Sequence, residues 1–418
     1  MRISELGPTT TAAQLRALAP DPRDVEDDVR AIIDHVRGGG DAAVAELTRR
    51  FDHAEVSPAA LRVEPAEIDA SVAMLTPAVL AGLRTAIANV RAVVVAQLRE
   101  PAEIELPEGQ RVEIAELPVR RAAAYVPAGR AAYPSTLVMV AVTAKSAGVD
   151  QVVASAPPGP EGRAHPVILA ACALCGVNEV YRMGGAQSIA ALAYGTESVE
   201  PVDVIAGPGS SWVQEAKRQV SGIVGIDGIA GPSELIVVAD GTQDAEAIAL
   251  DLLAQAEHGD DGLVCLMTPN RALASAVRDQ LQRLAPHRPS VADPAVALVI
   301  TRDVEAAVAL ADAVAPEHLE LVGPRSEALA DRVRAAGCLF VGSASATAFG
   351  DYVAGSNHVL PTGGAARFQS ALSAATFRRR MARVTVPEGA ARRLAPAGAA
   401  LARAEGFPVH AESMEHRA

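Results

Sequence analysis

From about residue 120 onward, short apolar runs alternate regularly with longer amphipathic stretches, and this alternation constrains the fold more than any other feature of the sequence. Short runs rich in Val, Ile and Ala are typical of buried strands, whereas apolar residues three or four apart are typical of helices. The strands predicted for this first series are 122–126, 151–156, 179–183 and 202–206. The helices predicted between and after them are 135–147, 165–175, 186–194 and 210–220.

A second series repeats the alternation. Its predicted strands are 235–239, 263–268, 297–301, 319–322 and 339–341. Its predicted helices are 244–256, 271–284, 304–314 and 327–335. Strands that alternate with helices in this way build a parallel sheet covered by helices. We therefore predict an α/β protein with two tandem nucleotide-binding-type units, each an incomplete Rossmann-like parallel sheet, with a helical N-terminal region and a small helical C-terminal tail.

The composition argues against several kinds of partner. Lys and Arg number 37, Asp and Glu number 50, the formal net charge is −13, and aromatic residues make up 3%. Nucleic acids and anionic membranes attract a positive field, and base stacking needs aromatic rings, so we expect neither as a partner. Four cysteines, no signal-peptide pattern at the start, and no apolar run of roughly 18 residues predict a protein of the reducing cytoplasm.

Two glycine-rich turns, 183–187 and 206–210, each join a predicted strand to a predicted helix. Glycine lets the backbone approach a phosphate there, and a helix N-terminus favours an anion. Neither turn matches G-x-G-x-x-G, and an ordinary tight turn is an equally good interpretation. Any dinucleotide site is therefore expected to lack the usual fingerprint.

The pair Cys172 and Cys175 has the C-x-x-C spacing of zinc and redox sites. A four-sulfur zinc site needs a second close pair, but Cys265 and Cys338 stand singly. Because the pair lies on an apolar helical stretch, we interpret it as core packing.

Polar residues suited to chemistry are concentrated toward the C-terminal half. Gln255 and His258 lie three apart at the end of a predicted helix, so both side chains can point at one centre. Asp351 lies in a polar loop, and further candidates follow at His358, Glu405 and His410. Taken singly, each histidine is more often a surface residue. Together these side chains supply imidazole, carboxylate and amide oxygen, which are donors suited to a divalent metal such as zinc.

The adjacent residues Glu317 and His318, next to a predicted strand, form the best acid–base pair. An imidazole with a pKa of about 6.5 can accept and return a proton at neutral pH, and a neighbouring carboxylate can activate water. Two other interpretations stay open: a zinc- and nucleotide-binding regulatory module, and a metal hydrolase acting on a small amide. The acid–base pair argues against the first, and the tandem α/β series argue against the second.

Taken together, several segments resemble those of histidinol dehydrogenases, in the family's order and over nearly the whole chain from about residue 20. These segments are 125–129, 184–195, 231–234, 251–258, 316–319 and 350–362. The resemblance implies two NAD-dependent oxidations, from L-histidinol through L-histidinaldehyde to L-histidine, as the final steps of histidine biosynthesis. It also implies a zinc-dependent homodimer with shared active sites.

The resemblance further implies a role for individual residues. Glu317 and His318 match the catalytic pair. The implied zinc ligands are Gln255, His258, Asp351 and His410, the last from the neighbouring subunit. The implied substrate contacts are Ser233, Glu405, His358, His318 and the four zinc ligands. The implied NAD contacts are Tyr125, Gln187 and Ser210.

We expect four parts along the chain. Residues 1–20 form an N-terminal arm. Residues 21–121 together with 234–372 form a larger α/β domain that carries most of the site residues. Residues 122–233 form a second α/β domain on the NAD side, and 373–418 form a helical tail that contributes to the partner subunit.

Three residues depart from the pattern usual in the family. Ser210 replaces asparagine, Trp212 replaces tyrosine or phenylalanine, and Ala371 stands where glycine is usual. The departures leave one alternative, a paralogous zinc-dependent NAD alcohol dehydrogenase that acts on another small polar alcohol.

Overall fold

The structure, a computed structural model, describes residues 2–19, 24–127 and 131–418. Its strands are β1 (Arg2–Leu6), β2 (Ala102–Glu105), β3 (Arg111–Pro118), β4 (Arg121–Tyr125), β5 (Gln151–Ala156), β6 (Val180–Arg182), β7 (Val204–Ala206), β8 (Gly225–Ile226), β9 (Glu234–Ala239), β10 (Leu263–Thr268), β11 (Ala295–Ile300), β12 (His318–Val322), β13 (Cys338–Val341) and β14 (Arg378–Thr385). Its helices are α1 (Ala12–Arg16), α2 (Glu26–Phe51), α3 (Pro65–Ser71), α4 (Pro77–Ala96), α5 (Pro134–Ser146), α6 (Pro166–Cys175), α7 (Gly185–Tyr194), α8 (Ser211–Val220), α9 (Ala245–Ala256), α10 (Arg271–Leu284), α11 (Val304–Val314), α12 (Pro324–Glu327), α13 (Thr347–Tyr352), α14 (Glu388–Ala404) and α15 (Pro408–Glu415).

Two parallel sheets organise the described part of the chain. One has the strand order β6-β5-β4-β7-β8, and the other has the order β1-β11-β10-β9-β12-β13. Every strand pair in both sheets is parallel. The central strands are buried on both faces, as expected when helices cover both sides of a sheet. The predicted fold class, with two tandem parallel α/β units, is confirmed.

The N-terminal segments pack differently from the grouping predicted from the sequence. The expected arm contains β1, which pairs with β11 at the edge of the six-stranded sheet. Helices α2, α3 and α4 contribute their apolar faces to the two cores that cover the five-stranded sheet, although the sequence grouped them with the other unit. The expected arm boundary at residues 20–21 lies outside the described residues.

A third, antiparallel sheet was missed in the sequence and has the order β14-β3-β2. The tail was predicted to be helical, but it begins with β14 before α14 and α15. Arginines and glutamates explain the pairing, because Arg380 lies opposite Glu116 and Arg383 opposite Glu113. These cross-strand pairs form ion pairs of 3.1 and 2.7 Å, which stabilise strands at an exposed edge.

The helix predicted over residues 327–335 is wrong. The structure has only the short helix α12 and a single 3-10 turn at Ala330–Arg332. The backbone N–H groups of Arg334 and Ala335 donate to the Asp312 carboxylate at 2.6 and 2.8 Å. These hydrogen bonds take the place of main-chain hydrogen bonds of a helix, and the chain continues into β13.

Within the described residues, α4 is the one helix long and apolar enough to cross a membrane by length and composition. Pro77 occupies its first turn, and the Thr76 side chain caps it by accepting from the backbone N–H of Val79. Its inner face, which includes Leu83, Ile87 and Val90, packs in the same core as α5 and α6.

Two valines on α4 test this packing. Val90 is 1% exposed and Val79 is 41% exposed. Val90→Ala should lower the free energy of unfolding by about 1.5 kcal/mol or more, because two buried methyl groups and their contacts are lost. Val79→Ala should change it by less than about 0.5 kcal/mol. Denaturant unfolding measures both values, and equal losses would contradict the packing described for α4.

Candidate active site

A cavity of about 420 Å³ lies between the two α/β units. The five-stranded unit contributes the turn after the carboxyl end of β7, including Gly207 and Gly209. The six-stranded unit contributes residues at the amino ends of β9 and β12 and from the loop around α13. Polar side chains from this second unit converge there: Ser233, His258, Glu317, His318, Asp351 and His358. The structure therefore brings most of the predicted site residues to one cavity.

The Glu317–His318 pair is fixed by the start of β9. The Oε2 atom of Glu317 accepts hydrogen bonds from the Ser233 hydroxyl at 2.5 Å and from the Glu234 backbone N–H at 2.8 Å. Nδ1 of His318 lies 3.0 Å from the backbone oxygen of Glu234, which orients the ring and leaves Nε2 on the Asp351 side. Both side chains are buried. The pair is thus held in a defined orientation against the cavity.

Burial changes the chemistry of Glu317. Loss of solvent raises the pKa of its carboxyl to about 6, against the opposing effects of His318 and the Ser233 hydroxyl. The carboxyl is therefore largely ionised at neutral pH and is a stronger base than an exposed glutamate.

Two of the four predicted zinc ligands line the cavity, and a third, Gln255, contacts the cavity residue Ser233. His258 and Asp351 both line it and interact electrostatically. The amide nitrogen of Gln255 donates to the Ser233 hydroxyl at 2.6 Å, which leaves the amide oxygen as its potential ligand atom. Partial shielding from solvent lowers the pKa of His258, so its imidazole is neutral at pH 7 and can donate a lone pair.

In the described part of one chain, no group of three or more His, Cys, Asp or Glu side chains lies close enough together to hold a metal ion. The predicted set draws only His258 and Asp351 from those residue types, adds an amide oxygen, and needs one imidazole from elsewhere. The residues present therefore fit zinc in chemistry, but one chain supplies an incomplete coordination shell.

His358 is held on both ring nitrogens. Nδ1 lies 2.8 Å from the backbone oxygen of Asp351, and Nε2 lies 3.1 Å from the Thr136 hydroxyl. Burial lowers its pKa. Thr136 belongs to the five-stranded unit, so His358 connects the two units across the cavity. Sequence reasoning missed Thr136, because a threonine at the start of a helix carries no distinguishing pattern.

The glycine-rich turn 206–210 is held by a buried ion pair that the sequence analysis did not single out. Lys217 forms an ion pair with Asp227 and donates to the backbone oxygen of Gly207 at 3.1 Å. Asp227 accepts from the Gly207 backbone N–H at 2.8 Å. One signal was available, because Lys217 is one of only two lysines in the sequence.

The predicted NAD contacts separate into two groups. Ser210 lines the cavity at the start of α8, and its hydroxyl makes no capping bond to that helix. Tyr125 and Gln187 are buried behind it, where the Tyr125 hydroxyl accepts from the Gly185 backbone N–H at 3.1 Å. The Gln187 amide donates to Asp52 at 3.4 Å.

Glu405 and His410 lie apart from the cavity of their own chain. Both are exposed on the tail, whose helices α14 and α15 pack together around a small core of their own. The tail also exposes Leu401, Phe407 and Val409.

Cys172 and Cys175 are buried in a core, as interpreted from the sequence. Burial raises the pKa of both thiols, that of Cys175 to about 12.

A buried acid–base pair and a group of neutral imidazoles in a cavity between parallel α/β units are typical of an enzyme. A sequence profile described as histidinol dehydrogenase matches residues 16–418. Histidinol dehydrogenases of Cereibacter sphaeroides and Ruegeria pomeroyi are each 45% identical to this chain, covering 95% and 98% of it and 93% and 96% of their own lengths. A crystal structure of histidinol dehydrogenase from Elizabethkingia anophelis is 30% identical, with a TM-score of 0.92 over 100% of this chain and 98% of that one. The chain belongs to the histidinol dehydrogenase family, and it is an oxidoreductase of histidine biosynthesis.

The glycine-rich turn supplies a test of the site's geometry. Gly207 has φ +135°, and a Cβ there would overlap the backbone oxygen of Tyr125. Gly207→Ala should lower the free energy of unfolding by about 1–3 kcal/mol from backbone strain, with a further loss from the overlap. Gly82→Ala on α4 is the matched control, because a Cβ there meets open space. It should leave stability unchanged or raise it by about 0.5–1 kcal/mol, so equal destabilisation of the two variants would contradict the described turn.

Proposed function

We propose that the chain oxidises L-histidinol through L-histidinaldehyde to L-histidine in two successive NAD-dependent steps, with bound zinc, as a homodimer. The observation that carries this proposal is the Glu317–His318 pair, buried beside Ser233, His258 and Asp351. A single oxidation needs a base for one alcohol proton, whereas a second oxidation also needs water to add to the aldehyde. The pair contains groups for both tasks.

The proposed role of His318 follows from its hydrogen bonds. Its Nδ1 is occupied at the Glu234 backbone oxygen, so Nε2 is the nitrogen that accepts a proton. In each oxidation, Nε2 takes the proton of an oxygen while hydride leaves the neighbouring carbon. When bound, NAD accepts that hydride, once for the alcohol and once for the hydrated aldehyde.

Glu317 is proposed to act only in the second oxidation. Its carboxylate, whose pKa is raised to about 6 by burial, accepts a proton from the water that adds to the aldehyde. The Ser233 hydroxyl and the Glu234 N–H hold one carboxylate oxygen, which leaves the other for that proton. Cys172, Cys175 and Cys265 take no part, because they are buried in cores.

Zinc is proposed to lie on Gln255, His258 and Asp351 of one subunit and His410 of the partner. When bound, the ion orients neutral nitrogen donors of the substrate as a Lewis acid and does not change its oxidation state. Ser233 supports this arrangement by contacting both Gln255 and Glu317, so a single hydroxyl links the proposed metal side to the catalytic pair. His358 and Glu405 are proposed as further substrate contacts.

The cofactor is proposed to bind at the turn 206–210. Gly207 and Gly209 let the turn pack closely against Tyr125 and Val213, and the N-terminus of α8 favours a phosphate. Ser210 is the proposed contact within the cavity. Tyr125 and Gln187 remain proposed contacts, and because both are buried, contact with NAD requires their exposure when the cofactor binds.

The homodimer is proposed from the tail. Helices α14 and α15 expose three large apolar side chains, Leu401, Phe407 and Val409, next to His410. Burial of this surface against a second copy would place His410 and Glu405 in the partner's site. We also propose a cytoplasmic location, which the four free cysteines support.

Single-turnover kinetics separate the roles of Glu317 and His318. Glu317→Gln keeps the side-chain shape but removes the base, so the aldehyde step should slow far more than the alcohol step. His318→Asn should slow both steps by about 10²–10⁴-fold. NADH formation is followed from histidinol and, separately, from histidinaldehyde, with Glu246→Gln at an exposed ion pair as the control. Equal slowing of both steps by Glu317→Gln, with little effect of His318→Asn, would contradict the assigned roles.

Subunit exchange tests the shared site. His410→Ala and His258→Ala should each be inactive and deficient in zinc when pure. In a mixed dimer one site carries both defects and the other is intact, so complete exchange should restore about a quarter of the wild-type activity and zinc content. Proven mixed dimers without recovered activity or zinc would show that His410 does not complete the partner's site.

A further inference from the structure

The side chain of Arg16, at the end of helix α1, contacts the chain segment that precedes Glu317. Arg16, at the end of α1, forms a two-pronged ion pair with Glu234, one prong of which measures 3.2 Å. Its Nη2 also donates to the backbone oxygens of Val314 and Ala315, at 3.2 Å for Ala315. The side chain of Glu234 is 6% exposed and that of Arg16 is 25% exposed, so the pair is largely shielded from water.

Glu234, the partner of Arg16, is itself hydrogen-bonded to both Glu317 and His318. Its carboxylate accepts from the backbone N–H of Glu317 at 3.3 Å and from that of Gly363 at 3.0 Å. Its own backbone N–H and oxygen hold Glu317 and His318, as described above. One residue therefore contacts both members of the pair, through its backbone on one side and its carboxylate on the other.

The segment that Arg16 holds has an unfavourable backbone. Ala315 has φ +52° and ψ +62°, a left-handed conformation that costs a residue with a Cβ about 1–2 kcal/mol. It follows α11 directly and precedes Glu317 by two residues. The guanidinium bonds to the oxygens of Val314 and Ala315 offset that cost. Without them, the segment has less to hold it in the conformation that places Glu317.

We propose that Arg16 is a positioning residue for the Glu317–His318 pair and acts on it through Glu234. The proposal rests on the catalytic roles assigned above. Arg16 touches neither member of the pair and makes no contact with the cavity. Its guanidinium carries the donors needed to bond one carboxylate and two carbonyl oxygens at once, which a lysine ammonium cannot match in geometry.

Kinetics of three arginine variants test the proposal. Arg16→Met should lower kcat for the aldehyde step by about 10–100-fold, because displacement of a catalytic group by about 1 Å costs up to this much. KM for histidinol should change less than about 3-fold, since Arg16 does not line the cavity. Arg16→Lys keeps the charge and should recover part of kcat. Arg283→Met, at an exposed ion pair with Glu246, is the matched control and should behave as wild type.

A double-mutant cycle shows whether Arg16 acts through Glu234. The double variant Arg16→Met/Glu234→Gln should be no slower than the slower single variant, because both substitutions break the same chain of contacts. All rates are taken per zinc-loaded site, so that a smaller folded fraction does not imitate a slower step. Additive losses in the double variant, or an Arg16→Met enzyme as active as Arg283→Met, would overturn the proposal.

Hydrogen exchange provides a readout that does not depend on the reaction. The amides of residues 314–318 should exchange faster in Arg16→Met than in wild type, while those of α10 remain unchanged. Unchanged exchange at 314–318 would overturn the positioning role. A wild-type enzyme that forms no NADH from histidinol would instead overturn the proposed function, and the exchange result would still decide whether Arg16 orders this segment.

Discussion

The parallel pairing of β9 with β12 is the interaction on which the rest of the site depends. It places His318 opposite Leu235 in the register, so Glu234 lies beside both Glu317 and His318. The backbone N–H of Glu234 then bonds Glu317, and its backbone oxygen bonds His318. A shift of β12 by one residue relative to β9 would move each of these side chains to the other face of the sheet. The proposed catalytic pair, Glu317 and His318, is therefore oriented by backbone hydrogen bonds of a buried sheet rather than by a flexible loop.

The two units contribute different chemistry to one cavity. In the five-stranded unit the cavity lies at the carboxyl end of β7, the usual place for a ligand in an open parallel sheet. In the six-stranded unit it lies at the amino ends of β9 and β12, which supply the acid–base pair. The turn at Gly207 and the pair at Glu317 thus face each other, which suits the transfer of hydride between a cofactor and a substrate. His358, which is hydrogen-bonded to Thr136, joins the two units across the cavity.

Much of this arrangement could be predicted from the sequence, because parallel strands buried on both faces are nearly continuous apolar runs. The strand ranges predicted around β5, β9 and β10 agree with the structure to within one residue. Strands β1, β2, β3 and β14 were missed because exposed polar side chains interrupt their apolar pattern. Of these, β1, β2 and β14 lie at sheet edges, and β3 is the centre of the small antiparallel sheet. The resemblance named candidate site residues, and the fold brings six of them to one cavity: Ser233, His258, Glu317, His318, Asp351 and His358. Contacts between residues far apart in sequence, such as Arg16 with Glu234, leave no local pattern and needed the structure.

One cavity is proposed to carry out two oxidations on the same substrate. The most direct measurement is the amount of NADH formed when a limiting amount of histidinol is consumed to completion by the zinc-loaded enzyme with excess NAD. Two oxidations predict two molecules of NADH and one of histidine for each histidinol, without free aldehyde at the end. One NADH for each histidinol, with the aldehyde remaining, would contradict the claim and reduce the enzyme to a simple alcohol dehydrogenase.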